Sequence, residues 1–178
     1  MSYNLLKGKK GLIFGALNEQ SIAWKVAERA VEEGAEIVLT NTAVSIRMGT
    51  ISKLAEKCNT IVVPADATSV GDLENLIDKT MEHFGGKFDF MLHSIGMSPN
   101  VRKGRTYDDL DYDFLSKTLD ISAISFHKAI QVARKKDAIN DWGSIVALSY
   151  IAAQRTLYGY NAVSYTHLRA HETRGNLV

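Results

Sequence analysis

An internal disulfide framework is excluded at the outset, because the chain holds a single cysteine, Cys58. That count fits a reducing compartment, and with no histidine near it in sequence Cys58 reads as a buried small hydrophobe rather than a reactive thiol. Long hydrophobic runs are missing too. No segment approaches the roughly 20 apolar residues of a membrane span, and the opening MSYNLLKGKKG lacks the apolar core of a signal peptide. Neither sign of charge dominates: 21 basic residues against 20 acidic ones leave a formal charge of +1, spread along the chain. Such a chain has no broad electrostatic footprint for nucleic acid or an anionic membrane. Internal repeats and low-complexity linkers are also lacking. What is present, 46% hydrophobic and 23% charged side chains over 178 residues, is the composition of one soluble globular domain able to bury a core. The expectation is a cytoplasmic enzyme or binding protein whose partner is a small molecule or another protein.

Apolar, β-rich runs alternate with helical patterns from the start. GLIFGA (residues 11–16) reads as a buried strand, and SIAWKVAERAVEEGA as a helix in which Ile22, Val26 and Ala30 recur at helical spacing and Gly34 marks the stop. EIVLTN follows as a second strand, then a weaker helical stretch, SIRMGTISKLAEKC. TIVVPAD (60–66) is a third strand, and SVGDLENLIDKTMEHFG an amphipathic helix with a Ser or Thr cap. FDFMLHSIG is a fourth strand, residues 110–136 one long helical segment, and GSIVALSY (143–150) a fifth strand. Continuous apolar strands separated by helices predict a parallel sheet covered on both faces, a doubly wound α/β fold.

In such sheets ligands bind beyond the carboxyl ends of the strands, so the residues that close each strand carry the functional reading. The first closes in GALNEQSIA. Gly15 permits a tight turn, and the following helix presents free N–H groups and a positive dipole end suited to a pyrophosphate. The glycine-rich dinucleotide fingerprint is incomplete, however, and an ordinary strand-to-helix turn capped by Ser21 is the competing reading. At the second strand end, Thr40-Asn41-Thr42, there is no acidic residue to hold an adenosine ribose, and Arg47 follows; the choice between NADH and NADPH stays open. Asp66-Ala67 closes the third strand, with Asp66 either accepting from an adenine amino group or capping the next helix. In HSIG, Ser94 and Gly96 are small enough for close approach by a ligand, whereas His93 is either a base or a packed core histidine. Two phenols, Tyr150 and Tyr160, stand ten residues apart at the fifth strand end and in the loop beyond it. A phenol, with an unperturbed pKa of about 10, is a proton donor suited to a developing enolate oxygen, and packing is its competing role.

GALNEQSIA, HSIGMSP and ALSYIAAQRTLYGYN, in that order, resemble the enoyl-acyl carrier protein reductases of bacterial fatty acid synthesis, the divergent branch of the short-chain dehydrogenase/reductases. The resemblance covers residues 1–161. It implies a Rossmann-like doubly wound parallel sheet, incomplete, with about five strands present, and reduction of the trans-2 double bond of an enoyl thioester held on acyl carrier protein, with NADH as cofactor and NADPH as the alternative. By the same resemblance Gly15, Ser21 and Ile22 surround the cofactor pyrophosphate, Thr42 takes a ribose-side position, Asp66 and Ala67 flank adenine, and Ile95 and Gly96 line the nicotinamide ribose. Ser98 contacts acyl substrate. Tyr160 holds the thioester carbonyl, and Tyr150 is the second active-site tyrosine. Complete members of the family are expected to be homotetramers.

The pattern breaks near the end. The two positions at which the family lysine could fall hold Ser164 and His167, and neither supplies a long cationic side chain. Past Asn161 the resemblance stops within a few residues, and SYTHLRAHET looks like translated adapter sequence, so residues 162–178 are expected to be a non-native tail on a partial reductase domain, residues 1–161. His167 and His171 in it lack both the metalloprotease order and a third ligand, so no metal site is expected. A chain so cut is expected to fold poorly and to have little reductase activity. Two other readings stand beside this one: a different short-chain dehydrogenase, and a non-catalytic nucleotide-binding module.

Overall fold

The computed structural model of the protein describes residues 2–150. In chain order these form β1 (Lys10–Phe14), α1 (Ile22–Glu32), β2 (Glu36–Asn41), α2 (Ala43–Met48), α3 (Ile51–Cys58), β3 (Val62–Pro64), α4 (Val70–Phe84) and β4 (Phe88–His93). There follow α5 (Pro99–Arg102), one 3₁₀ turn at Tyr107–Asp109, α6 (Tyr112–Leu119), a π-helical turn at Asp120–Ile124, α7 (Ser125–Lys135) and β5 (Ile139–Ala147). The described residues divide into two compact units, 2–95 with 126–147, and 96–125 with 148–150.

The first unit carries the sheet, whose five strands run parallel in the order β3-β2-β1-β4-β5. This is the doubly wound α/β arrangement predicted from the alternation of apolar runs. Its cause is visible in β1. Leu12 and Phe14 pack into a cluster with Val38, Leu73, Ile77 and Met91, while Ile13 between them points the other way and is equally buried. A strand buried on both faces has to read as continuous hydrophobicity, and only helices on either side can cover it. Caps fall where expected. Ser69 accepts from the Asp72 amide at the start of α4, and Gly85 ends that helix in the left-handed region at φ +68°. Gly34, at φ +90°, follows α1.

Several sequence expectations shift. The strands end earlier than their apolar runs: Ala16 and Ala65 lie beyond β1 and β3 yet are buried, so hydrophobicity there marks burial. The buried face of α1 is Ala23, Trp24, Ala27 and Ala30; Ile22, read as part of that face, is 62% exposed. The stretch at 45–58 is two helices. They part at Gly49 and Thr50, where the Thr50 amide leaves the helical ladder and donates to the Leu17 carbonyl at 3.0 Å. The long segment at 110–136 is likewise interrupted by the π turn.

At the amino ends of the strands, Asp89 fastens the sheet. Its carboxylate accepts from the Lys10 amide at 2.9 Å, from Lys9 Nζ at 3.1 Å and from Asn140 Nδ2 at 3.2 Å, joining β4 to β1 and β5. Burial pushes this carboxyl up, but the three donors prevail and hold it below its usual value. Among the described residues no helix is long and apolar enough to cross a membrane.

Candidate functional site

At the carboxyl ends of the strands the loops are knitted by short polar contacts. Gly15 ends β1 at φ +90° and donates its amide to the Thr40 carbonyl at 3.1 Å. A Cβ on this residue would run into the Ser94 carbonyl oxygen at the end of β4. Gly15 is thus required twice, by its left-handed backbone and by the closeness of the two central strands. It stands where strand order reverses between β1 and β4, the position at which such sheets open a crevice.

Beyond it, Ser21 occupies the N-cap position of α1 yet makes no side-chain cap bond. Its hydroxyl faces upstream, accepting from the Leu17 amide at 3.2 Å and donating to the Asn18 carbonyl at 2.7 Å. The ordinary capped turn is therefore not what forms. Ser21 holds the loop closed, and the first-turn amides of α1 receive no side-chain acceptor and no acidic neighbour within that turn. An uncapped positive helix end of this kind favours an anion. The exposed Ile22 lies at the same helix start.

At β2, Thr42 caps α2: its hydroxyl accepts from the Ser45 amide at 3.2 Å and bonds Ser45 Oγ at 2.9 Å. Asn41, which sequence reasoning passed over, ties the loops together. Its Nδ2 donates to the Ala16 carbonyl at 2.9 Å and its Oδ1 accepts from the Thr42 amide at 2.8 Å. A polar residue closing an apolar strand was the available signal. Replacing Asn41 by alanine is expected to destabilise the fold by about 1–3 kcal/mol, because it leaves a carbonyl and an amide unpaired; urea unfolding reads this directly.

After β3, the Asp66 side chain does not cap α4, a task that falls to Ser69. Asp66 Oδ1 accepts from both the amide and the hydroxyl of Thr68, at 2.9 and 2.7 Å, forming a local turn that leaves the carboxylate exposed. Lys128 Nζ reaches across from α7 to the Thr68 carbonyl at 2.8 Å. Ala67 is buried, and Ile95 packs against the core from the end of β4.

His93 resolves as the packed alternative. The ring is 2% exposed, with the rings of Phe14 and Phe126 at 5.8 and 5.3 Å between centroids, and burial pushes its pKa down to about 4. A neutral imidazole in that setting belongs to the core. Cys58 is buried, and burial raises its thiol pKa, in keeping with the inert reading.

Gly15, Ser21, Ile22, Thr42, Asp66, Ala67 and Ile95 thus all lie at carboxyl strand ends of the first unit or at the helix starts that follow them. Gly96, Ser98 and Tyr150 belong to the second unit. Gly96 has no positive φ, and a Cβ there would meet nothing within 4 Å. Ser98 caps α5, accepting from the Val101 amide at 3.4 Å. Tyr150 follows β5 and is 41% exposed. Tyr160, with His167, His171 and the whole 162–178 segment, lies outside the described residues.

A family model described as Enoyl-(Acyl carrier protein) reductase matches residues 15–170. Among curated proteins, the enoyl-[acyl-carrier-protein] reductase [NADH] FabI of Rickettsia felis is 36% identical over 167 residues, which cover 92% of this chain and 62% of the relative. Enoyl-[acyl-carrier-protein] reductase [NADH] 2 of Rhizobium meliloti is 30% identical over 159 residues, 89% of this chain and 58% of the relative. Of solved structures, FabI from Alistipes finegoldii superposes with a TM-score of 0.92 at 93% identity, covering 94% of this chain and 64% of that one. The FabI–NADH complex from the same organism gives the same TM-score and identity over 93% of this chain and 59% of that one. The chain therefore spans about three fifths of the length of the curated relatives it matches. The match opens on Gly15, the residue that the strand ends themselves single out, and it runs through most of the chain: this protein belongs to the enoyl-(acyl carrier protein) reductase family.

Proposed function

We propose that the chain carries the dinucleotide-binding part of an NADH-dependent enoyl-acyl carrier protein reductase acting in bacterial fatty acid synthesis. The observation that carries this reading is the 93% identity to a FabI described in complex with NADH. NADH, when bound, supplies a hydride to the β-carbon of a trans-2-enoyl thioester. The chain's own residues hold and orient. The uncapped start of α1, with Gly15, Ser21 and Ile22, receives the pyrophosphate, whose charge the helix end and its amides offset. Thr42 stands on the ribose side, and the exposed carboxylate of Asp66 accepts from the adenine amino group beside Ala67. Ile95 and Gly96 line the nicotinamide ribose, and Ser98 meets the acyl substrate. Tyr160 donates to the thioester carbonyl as negative charge develops there, with Tyr150 as the second donor; an oriented donor of this type lowers the barrier by a few kcal/mol, about 3.

Residues 162–178 are foreign to the reductase in this reading, and the acyl carrier protein is the substrate's carrier. Fluorescence titration with NADH tests the cofactor assignment. Binding is expected, weakened about tenfold in Asp66→Ala, the equivalent of one charge-assisted hydrogen bond; a chain that leaves NADH fluorescence unchanged refutes the assignment. Turnover of a crotonyl thioester is expected far below that of a complete relative, and comparable turnover would overturn the foreign-tail reading. Genomic sequence past the codon for Asn161 that continues into a lysine at position 167 would support it.

A further inference from the structure

The interruption between α6 and α7 is built from specific bonds. In an α-helix the Ser125 amide would donate to the Ile121 carbonyl, four residues back. Here it donates to Asp120, five residues back, which defines the π turn. The Ile121 carbonyl released by this shift is taken up by the Ser125 hydroxyl at 2.6 Å. Ser125 is fully buried, so the widened turn is a satisfied structure and not a frayed joint.

What the widening presents is Ser122. Its hydroxyl accepts from the Met97 amide at 3.1 Å and bonds the Met97 carbonyl at 3.2 Å. One side chain thereby engages both backbone polar groups of a residue 25 positions away in sequence. Met97 directly follows Gly96 and precedes Ser98, so its backbone is the middle of the stretch to which the nicotinamide ribose and the acyl substrate are assigned. Gly96, the neighbour of Met97, has no side chain with which to hold that stretch, and a Cβ there would touch nothing.

We propose that Ser122, set by the π turn, is a positioning residue that fixes the backbone at Met97 and through it the nicotinamide-side contact of Gly96. It touches no ligand. The role rests on the cofactor reading above, and it separates the two ends of the dinucleotide: the adenine and pyrophosphate end depends on α1 and the loops after β2 and β3, the nicotinamide end on the Met97 clamp.

The test compares NADH with ADP, which carries adenosine and pyrophosphate but no nicotinamide riboside, on the whole chain and on Ser122→Ala, Ser122→Thr and Ser122→Val. Threonine and valine share a shape and differ in the hydroxyl, so a packing defect common to both cancels. The Thr variant is expected to bind NADH about tenfold more tightly than the Val and Ala variants, with ADP affinity equal in all. Amide exchange at Met97 should be faster in Val and Ala than in Thr. Equal loss of both ligands, or Thr and Val binding NADH alike, overturns the role of Ser122 while leaving the cofactor reading intact. A parent chain that binds ADP and NADH equally overturns the role of Ser122 alone; one that binds neither overturns both.

Discussion

Gly15→Ala is expected to lower the unfolding free energy by about 3 kcal/mol or more. Two independent costs act at this position. A Cβ in the left-handed region costs roughly 1–2 kcal/mol, and the φ of Gly15 is +90°. The added methyl would also overlap the Ser94 carbonyl oxygen, which is backbone and can yield only if β1 and β4 move apart; overpacking of this kind costs roughly 1–3 kcal/mol. Gly96→Ala is the matched control. With no positive φ and open space around its Cβ, it should change stability by no more than about 0.5 kcal/mol. Urea midpoints for the two variants settle the matter, and similar midpoints would sink the distinction. The two glycines are thus expected to differ: one builds the sheet and the other leaves room.

The second large effect is a pH dependence. His93 titrates at about 6.5 when unfolded and, buried, at about 4 in the fold. Between those values the unfolded chain binds more protons, so stability rises with pH across the window. The contribution is fully present above about pH 6.5 and is lost as pH falls to about 4, amounting to about 3 kcal/mol. His93→Gln changes the absolute stability but should flatten the slope of unfolding free energy against pH in that window by close to one proton. Glu28, held down to about 2 by Lys57 first and by Lys25, acts in a lower range: its contribution is present above about 4.5 and lost as pH falls toward 2. The two windows are therefore separable in one titration series. An unchanged slope in His93→Gln would show that the imidazole is not buried neutral.

The class of fold was legible because the middles of β1 and β2, residues 12–14 and 37–39, are apolar without interruption, and burial on both faces leaves no other pattern for a parallel strand. The strand-end residues were legible for the same reason, since the end of an apolar run locates the edge of the sheet to within two or three residues. What did not read through was local hydrogen bonding. Ser21 looks like a helix cap and instead closes the loop before the helix. Asp66 looks like one too and instead makes a turn with Thr68. Both depend on which of several nearby backbone groups a short polar side chain finds, and composition does not decide that. The π turn is hidden still more deeply. Nothing in DISAIS departs from helical periodicity, and the extra residue is accommodated by the hydroxyl of Ser125 taking a carbonyl that the ladder has released. Ile22 was misplaced by a simpler cause: a three-residue sample of the helix favoured the wrong stripe, and the alanines with Trp24 form the true one.

The strand order carries a consequence for how the chain reaches this state. β1, β2 and β3 can pair as soon as residue 64 is available, but the other neighbour of β1 is β4, joined to it through groups such as the Lys10 amide and the Asp89 carboxylate, 79 residues apart. Closing so long a loop is entropically unfavourable and returns its contacts late. During synthesis from the amino terminus, β1 therefore keeps one edge unpaired until His93 has emerged, and for that interval this edge of the nascent chain is open to a wrong strand.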